Sequence, residues 1–183
     1  MKKSYLWVIV CLLSMLPSAL LSQAKDEKPK QSKLDEFSSR SGHLIQRKFT
    51  DIGTFKSVKV KVLTLTDVLT HKSASGVRFE KVSYIGNSSR TAICFLDQDE
   101  VDDAIKALKY LKSDVVTNTT DIYTEYEFTS RSDFEVGCFS RDKNWVGFVR
   151  VSRYDDGLIS FNVTEFDSLL KMLEDAKAKL PAK

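Results

Sequence analysis

Apolar side chains alternate with polar ones from Leu44 onward, the period-two signature of a half-buried strand. Residues 44–53 predict a weak first strand. Residues 55–67 predict a strong second one, with Val58, Val60 and Val62 on one face and Lys59 and Lys61 on the other. At Leu63 and Leu65 the apolar residues change parity, which predicts either a bulge or burial of the strand's second half on both faces. After a loop over 71–76, residues 77–85 and 90–96 supply a third and a fourth strand around a turn at 86–89. The period then turns helical. Val101, Ala104, Ile105, Leu108 and Leu111 fall at i, i+3, i+4, i+7 and i+10, one apolar stripe that lies on a sheet. Asp97 and Glu100 stand ahead of it in a capping relation, the Asp side chain expected to accept from amides of the first turn.

The second half repeats this plan. Residues 121–129, 133–140, 145–154 and 157–163 alternate as four more strands, and a helix follows with Thr164 as its expected cap and Asp167 three residues on. Its stripe of Phe166, Leu169, Leu170, Leu173 and Ala176 stands 65 positions after the first stripe, member for member (101 to 166, 111 to 176). "KVSY" at 81–84 also matches "RVSRY" at 150–154, each ahead of a turn, a short strand and the helix. The expected fold class is therefore α+β, with tandem duplicated ββββα units whose antiparallel sheets are each covered by one amphipathic helix. One domain over 42–183 would hold the repeats 42–113 and 114–183. Pairing them into one core gives each unit the cover that a single helix cannot supply.

The N-terminus changes where this domain is expected to work. Lys2 and Lys3, the apolar run Tyr5–Leu16, and Ser22 and Ala24 at −3 and −1 form a signal peptide over 1–24. The run is shorter than the 20 or so residues a spanning helix needs, so no stable transmembrane segment is expected after cleavage. Residues 25–41 are charged and nearly devoid of apolar side chains, and are expected to form a disordered linker. Without the leader the balance is 26 basic against 25 acidic residues, and such neutrality argues against a nucleic-acid partner.

A doubled ββββα plan resembles the Whirly family of single-stranded DNA-binding proteins, with the related PC4 and PUR modules, over nearly all of the mature chain at the level of element order. The resemblance implies a curved sheet on which bases stack and phosphates are neutralised. Its candidates here would be Lys59, Lys61, Trp145, Phe148, Arg150, Arg153 and Tyr154. The lysine-glycine-lysine motif typical of Whirly proteins is absent.

Chemistry-bearing patterns are sparse. Nucleophile elbows, paired-histidine zinc motifs, phosphate-cradling glycine loops and calcium loops are all missing from the sequence, so neither catalytic nor metal-ligating residues nor a cofactor are assigned. Cys94 and Cys138 could form one disulfide or remain two buried thiols. The acidic run 97–103 could hold a cation, but acids in a first turn also meet the positive end of a helix dipole. Residues 152–157 form either a recognition tip or a hairpin turn in which Gly157 takes a positive φ, and Trp145 either anchors a ligand or caps a core. Asn87, Asn118 and Asn162 each begin an N-x-S/T sequon. The expectation is an exported, periplasmic or extracellular, non-enzymatic module. It would bind a protein or cell-envelope partner, or another copy of itself, through a sheet face or the 141–157 hairpin, with Trp145, Phe148, Arg150, Arg153 and Tyr154 as ligand-binding candidates. The alternatives are single-strand nucleic-acid binding and an enzyme with a pocket between the repeats.

Overall fold

The computed structural model describes residues 31–152 and 157–182. The signal peptide expected over 1–24, residues 25–30 of the expected linker, and Arg153 and Tyr154 of the expected binding set lie outside the described residues. A short helix α1 (Lys33–Ser38) precedes a four-stranded meander, β1 (Ile45–Phe55), β2 (Val58–Asp67), β3 (Ser73–Ile85) and β4 (Ser88–Asp97). Helix α2 (Val101–Tyr110) follows and closes in a wider π-turn, Leu111–Val115. A second meander then runs through β5 (Glu125–Thr129), β6 (Glu135–Arg141), β7 (Asn144–Arg150) and β8 (Leu158–Asn162). A 3-10 turn, Val163–Glu165, leads into α3 (Phe166–Lys179). Both sheets are antiparallel with their strands in chain order. The duplicated α+β plan is thus the fold.

Each amphipathic stripe is buried where its spacing places it. Val101, Ala104, Ile105, Leu108 and Leu111 share one core with Phe166, Leu169, Leu173 and Ala176, and Leu170 packs at its margin. The same core takes Val58, Val60, Val62, Val77 and Phe79 from the first sheet, and Val136, Cys138, Val149 and Phe161 from the second. Helix α3 reaches across to lie on β1 and β2 of the first unit. Neither unit is therefore closed by itself.

The contacts between α2 and α3 obey a local two-fold. Asp102 pairs with Lys177 at 2.5 Å, Lys112 with Asp167, and Lys109 with Glu174 at 2.8 Å, so the helices run antiparallel. Shifting by 65 turns Asp102 into Asp167 and Lys112 into Lys177, so the first two pairs are images of one another. Positions 109 and 174 are each other's image, which places that pair on the axis. Self-complementary pairing of this kind is what a two-fold between identical units produces. The strand ends agree: Glu100 Oε2 accepts from Asp97 N at 3.0 Å, and Glu165 Oε2 from Asn162 N at 3.2 Å. The expected cap at Thr164 with Asp167 is corrected to Asn162 with Glu165, the true counterpart of Asp97 and Glu100.

Two expectations near the first sheet are resolved together. The parity change in β2 is burial on both faces, because β2 and β3 pair without a register shift, whereas the bulge sits in β1 between Asp51 and Gly53. What buries the outer face is α1. Leu34 and Phe37 pack against Leu63, Leu65, Ala74 and Phe95, with Leu34 seated over Gly76. The linker expected over 25–41 is therefore corrected over its described part. Its two apolar residues are placed at i and i+3, enough to cover a patch and contribute about 1.5–3 kcal/mol each.

Asp97 holds this helix in place. Its carboxylate, 0% exposed, accepts from the amides of Lys33 at 2.7 Å and Leu34 at 3.1 Å, and from Ser32 Oγ at 2.9 Å. Arg131, from the β5–β6 hairpin of the other unit, adds a charged contact at 3.0 Å. Asp97 thus does not cap α2, which has no side-chain cap, but caps α1 from 64 residues away. Replacing Asp97 by Ala should cost about 3 kcal/mol by urea unfolding, since buried amides and a guanidinium lose their acceptor. The counterpart Asn162→Ala should cost about 1 kcal/mol, the ordinary value of one cap.

Candidate functional site

The residues singled out on β7 have unlike environments. Phe148 is 1% exposed and lies flat over Gly137, where even a Cβ would come within 2.8 Å of its ring. Arg150 pairs with Glu135 on the neighbouring strand and lies over the Phe148 ring at 5.9 Å. On the first sheet Lys59 is exposed, while Lys61 meets Asp51 at 3.3 Å. The binding face expected of Phe148 and Arg150 is therefore already occupied by the sheet's own cover. Gly157 is not in the left-handed region; it is needed because a Cβ would come within 2.5 Å of the Ser152 carbonyl.

Trp145 does face a cavity. One side of the indole packs on the core, with Tyr126 5.8 Å away, and Nε1–H donates to the Asn118 carbonyl at 2.6 Å. The core-capping reading holds, yet the same residue lines an open groove of about 720 Å³. It is lined by Asn118 and Thr119 of the loop after α2, Lys143 of the β6–β7 turn, Asn144 at the start of β7, and Ser160 and Asn162 of β8. The turn is a two-residue connection with positive φ at both Asp142 (49°) and Lys143 (66°), the geometry that suits the twist of paired strands.

The first unit shows what this groove is a variant of. Gly76 pairs with Asp97 as Val146 pairs with Asn162, so Ala74 and Ser75 correspond to Asn144 and Trp145. The counterpart cleft is lined by Ser73, Ala74, Ser75, Gln98 and Asp99 and measures about 350 Å³, half the volume. Lys33 of α1 forms part of its wall, as do Pro181 and Ala182.

The remaining chemistry is engaged in holding the fold together. Cys94 and Cys138 are not bonded to each other; both are buried, so of the two alternatives the structure has the pair of buried thiols. Burial pushes Cys138 up to about 12, and burial with the nearby charges of Asp133, Asp35 and Glu135 raises Cys94. In such surroundings a thiol is held in its protonated form. The acids of 97–103 are paired one by one. Asp99 meets Arg131 at 2.5 Å and Lys33 at 2.8 Å, Glu100 takes the Arg131 amide at 2.9 Å, and Asp103 meets Lys106 at 3.1 Å. Burial alone would raise Asp99, but these hydrogen bonds outweigh it and hold the carboxyl at about 2. Asp67, closed off at the end of β2, is lowered first by His43 Nδ1, 2.6 Å away, and then by the Thr70 and Leu69 amides. Among the described residues no group of three or more His, Cys, Asp or Glu could hold a metal ion, and no helix is long and apolar enough to cross a membrane.

No family model, curated protein or solved structure matches the chain. Asn118, Thr119, Ser160 and Asn162 escaped the sequence reading as groove residues, although Asn118 and Asn162 had stood out as sequons. What brings them to Trp145 is the approach of the post-α2 loop to the β7–β8 end, a tertiary contact without a local sequence signal.

Two measurements test this description. Cys94 and Cys138 should resist iodoacetamide at neutral pH in the folded protein and react once it is unfolded in urea; rapid labelling of either in the native state would contradict their burial. Asp99 has a folded value below its ordinary 3.8, so its stabilisation is present above that value and is lost as pH falls towards about 2. The urea midpoint of the wild type should therefore drop more between about pH 5 and pH 2.5 than that of Asp99→Asn.

Proposed function

We propose that this protein is an exported, non-enzymatic binding module that takes a cell-envelope or protein partner at the Trp145 end of its second sheet. The supporting observation is the asymmetry between the units. The cleft that α1 helps to wall in the first unit is twice as large in the second, and there it carries a tryptophan. Rigid aromatic surface in a concave site gives contact area at low entropic cost. Export rests on the leader pattern at 1–24. Single-strand binding finds less support, because it needs an open aromatic platform and free cations, and Phe148 and Arg150 are both engaged.

Affinity capture from envelope extract, using wild type and a groove-filling Thr119→Tyr variant, tests the reading. Thr119 is exposed in the loop after α2, so the variant should fold normally. A partner retained by wild type and lost by the variant is the expected result. Equal capture by both proteins, turnover on a hydrolase panel, or salt-sensitive retention on oligo-dT would each overturn it.

A further inference from the structure

Each sheet keeps one open edge. Beyond β4 the opposite unit closes in, with Ser130 Oγ–H donating to the Phe95 carbonyl at 2.8 Å. Beside β8 the first unit sets Phe55 against Phe161 and Lys56 against Glu165. Among the described residues no backbone hydrogen bond reaches the outer edge of β1 or of β5. The alternation of an antiparallel ladder tells which groups point outward there. The Leu44 carbonyl accepts from Val68 N at 2.9 Å, towards β2, so the backbone groups of Ile45, Arg47 and Phe49 point away from the sheet. The Thr124 carbonyl accepts from Ser140 N at 2.8 Å, towards β6, so those of Glu125, Glu127 and Thr129 point away likewise.

The two edges carry opposite charge. Arg47 and Lys48 are exposed on β1, and Glu125 and Glu127 are exposed on β5. Arg47, Lys48 and Glu127 have no ion pair or hydrogen bond among the described residues. Charged edges ordinarily keep strands apart, and each of these repels a copy of itself. Pairing β5 with β5 over its full length sets Glu127 against Glu127. Pairing β1 with β1 about position 47 or 48 sets like charges opposite, and pairing it about Phe49 runs into the bulge between Asp51 and Gly53. Antiparallel pairing of β1 with β5 meets neither obstacle. The straight part of β1 before the bulge takes all five residues of β5, with Ile45 opposite Thr129, Arg47 opposite Glu127 and Phe49 opposite Glu125. These are the residues whose backbone groups are free on both strands, so the ladder and the charges select the same register. On the other face Lys48 comes opposite Tyr126, which is 40% exposed, and an ammonium on an aromatic ring is a favourable contact.

We infer that the chain associates with a second copy of itself edge to edge, β1 of one copy pairing antiparallel with β5 of the next, Arg47 against Glu127. The two edges are different surfaces, so the contact is heterologous and each added copy offers a fresh edge of either kind. It shares no residue with the lining of the Trp145 groove.

Sedimentation of the exported protein tests this over roughly 10 µM to 1 mM, the range in which so small an interface is populated. The average mass should rise above that of one chain with concentration and fall back as salt is added. Amide exchange at Arg47, Phe49 and Glu127 should slow as the mass rises. Arg47→Glu and Glu127→Lys, both at exposed positions, should keep the wild-type urea midpoint, and each alone should weaken association about tenfold or more, since like charges then face one another. An equal mixture of the two variants should recover it, because each junction again joins opposite charges, while Thr119→Tyr should change nothing. One-chain mass throughout the range overturns the inference. So does association that Glu127→Lys leaves intact, the result expected of β1 against β1, and so does a mixture that fails to recover.

Discussion

A four-stranded sheet with one helix after it has more apolar surface than that helix can cover, and the whole architecture follows from this shortage. Two such units, set face to face around a two-fold, pool their helices and strands into one core. The pairing between α2 and α3 shows how closely the symmetry is kept, down to Lys109 and Glu174 meeting on the axis. Exposed pairs of this sort contribute little energy individually, about 0.5 kcal/mol. Their value is as markers of register, since a one-turn slip between the helices would set Lys109 beside other groups and break all three pairs at once.

Departures from the symmetry fall in one place. At the end of the fourth strand the first unit has a buried Asp97 and the second an exposed Asn162. The charge at 97 is satisfied by a helix N-terminus and a guanidinium, so the first unit must carry α1, and α1 closes its outer face. The second unit has a neutral amide there and covers its outer face with its own Phe148 and Phe139. The β7–β8 end is left as a groove beside Trp145. The end that α1 helps to wall is thus the narrower of the two, and the end with the neutral amide the wider.

Much of the fold was legible along the chain because burial there is periodic. Both helical stripes and the eight strands follow from spacing, and the offset of 65 revealed the doubling before any contact was known. The tertiary uses of individual polar residues were not legible. Asp97 has the spacing of a local cap, and its helix of choice is instead brought to it from 64 positions upstream. Two apolar residues among many charges, Leu34 and Phe37, look too few to order a segment. They suffice because the docking surface, with its notch at Gly76, is supplied by distant strands. Trp145 could be placed at a strand start, but the loop that accepts its N–H lies 27 residues away. Composition could not show that Arg150 and Lys61 each have a carboxylate beside them.

The tie between α1 and the second unit also dictates an order of assembly. Asp35 accepts from Ser132 Oγ, 97 positions later, and Arg131 completes the cluster in which Asp97 sits. The first described element of the chain to be synthesised is therefore among the last to be fully fixed, because Asp35 and Asp97 have no Ser132 or Arg131 to meet until the β5–β6 hairpin has formed. Contacts of such long sequence separation slow folding, since loop closure precedes any gain from them. A nascent chain stalled before residue 130 would hold a nearly finished first sheet whose lid was fastened from its own unit alone.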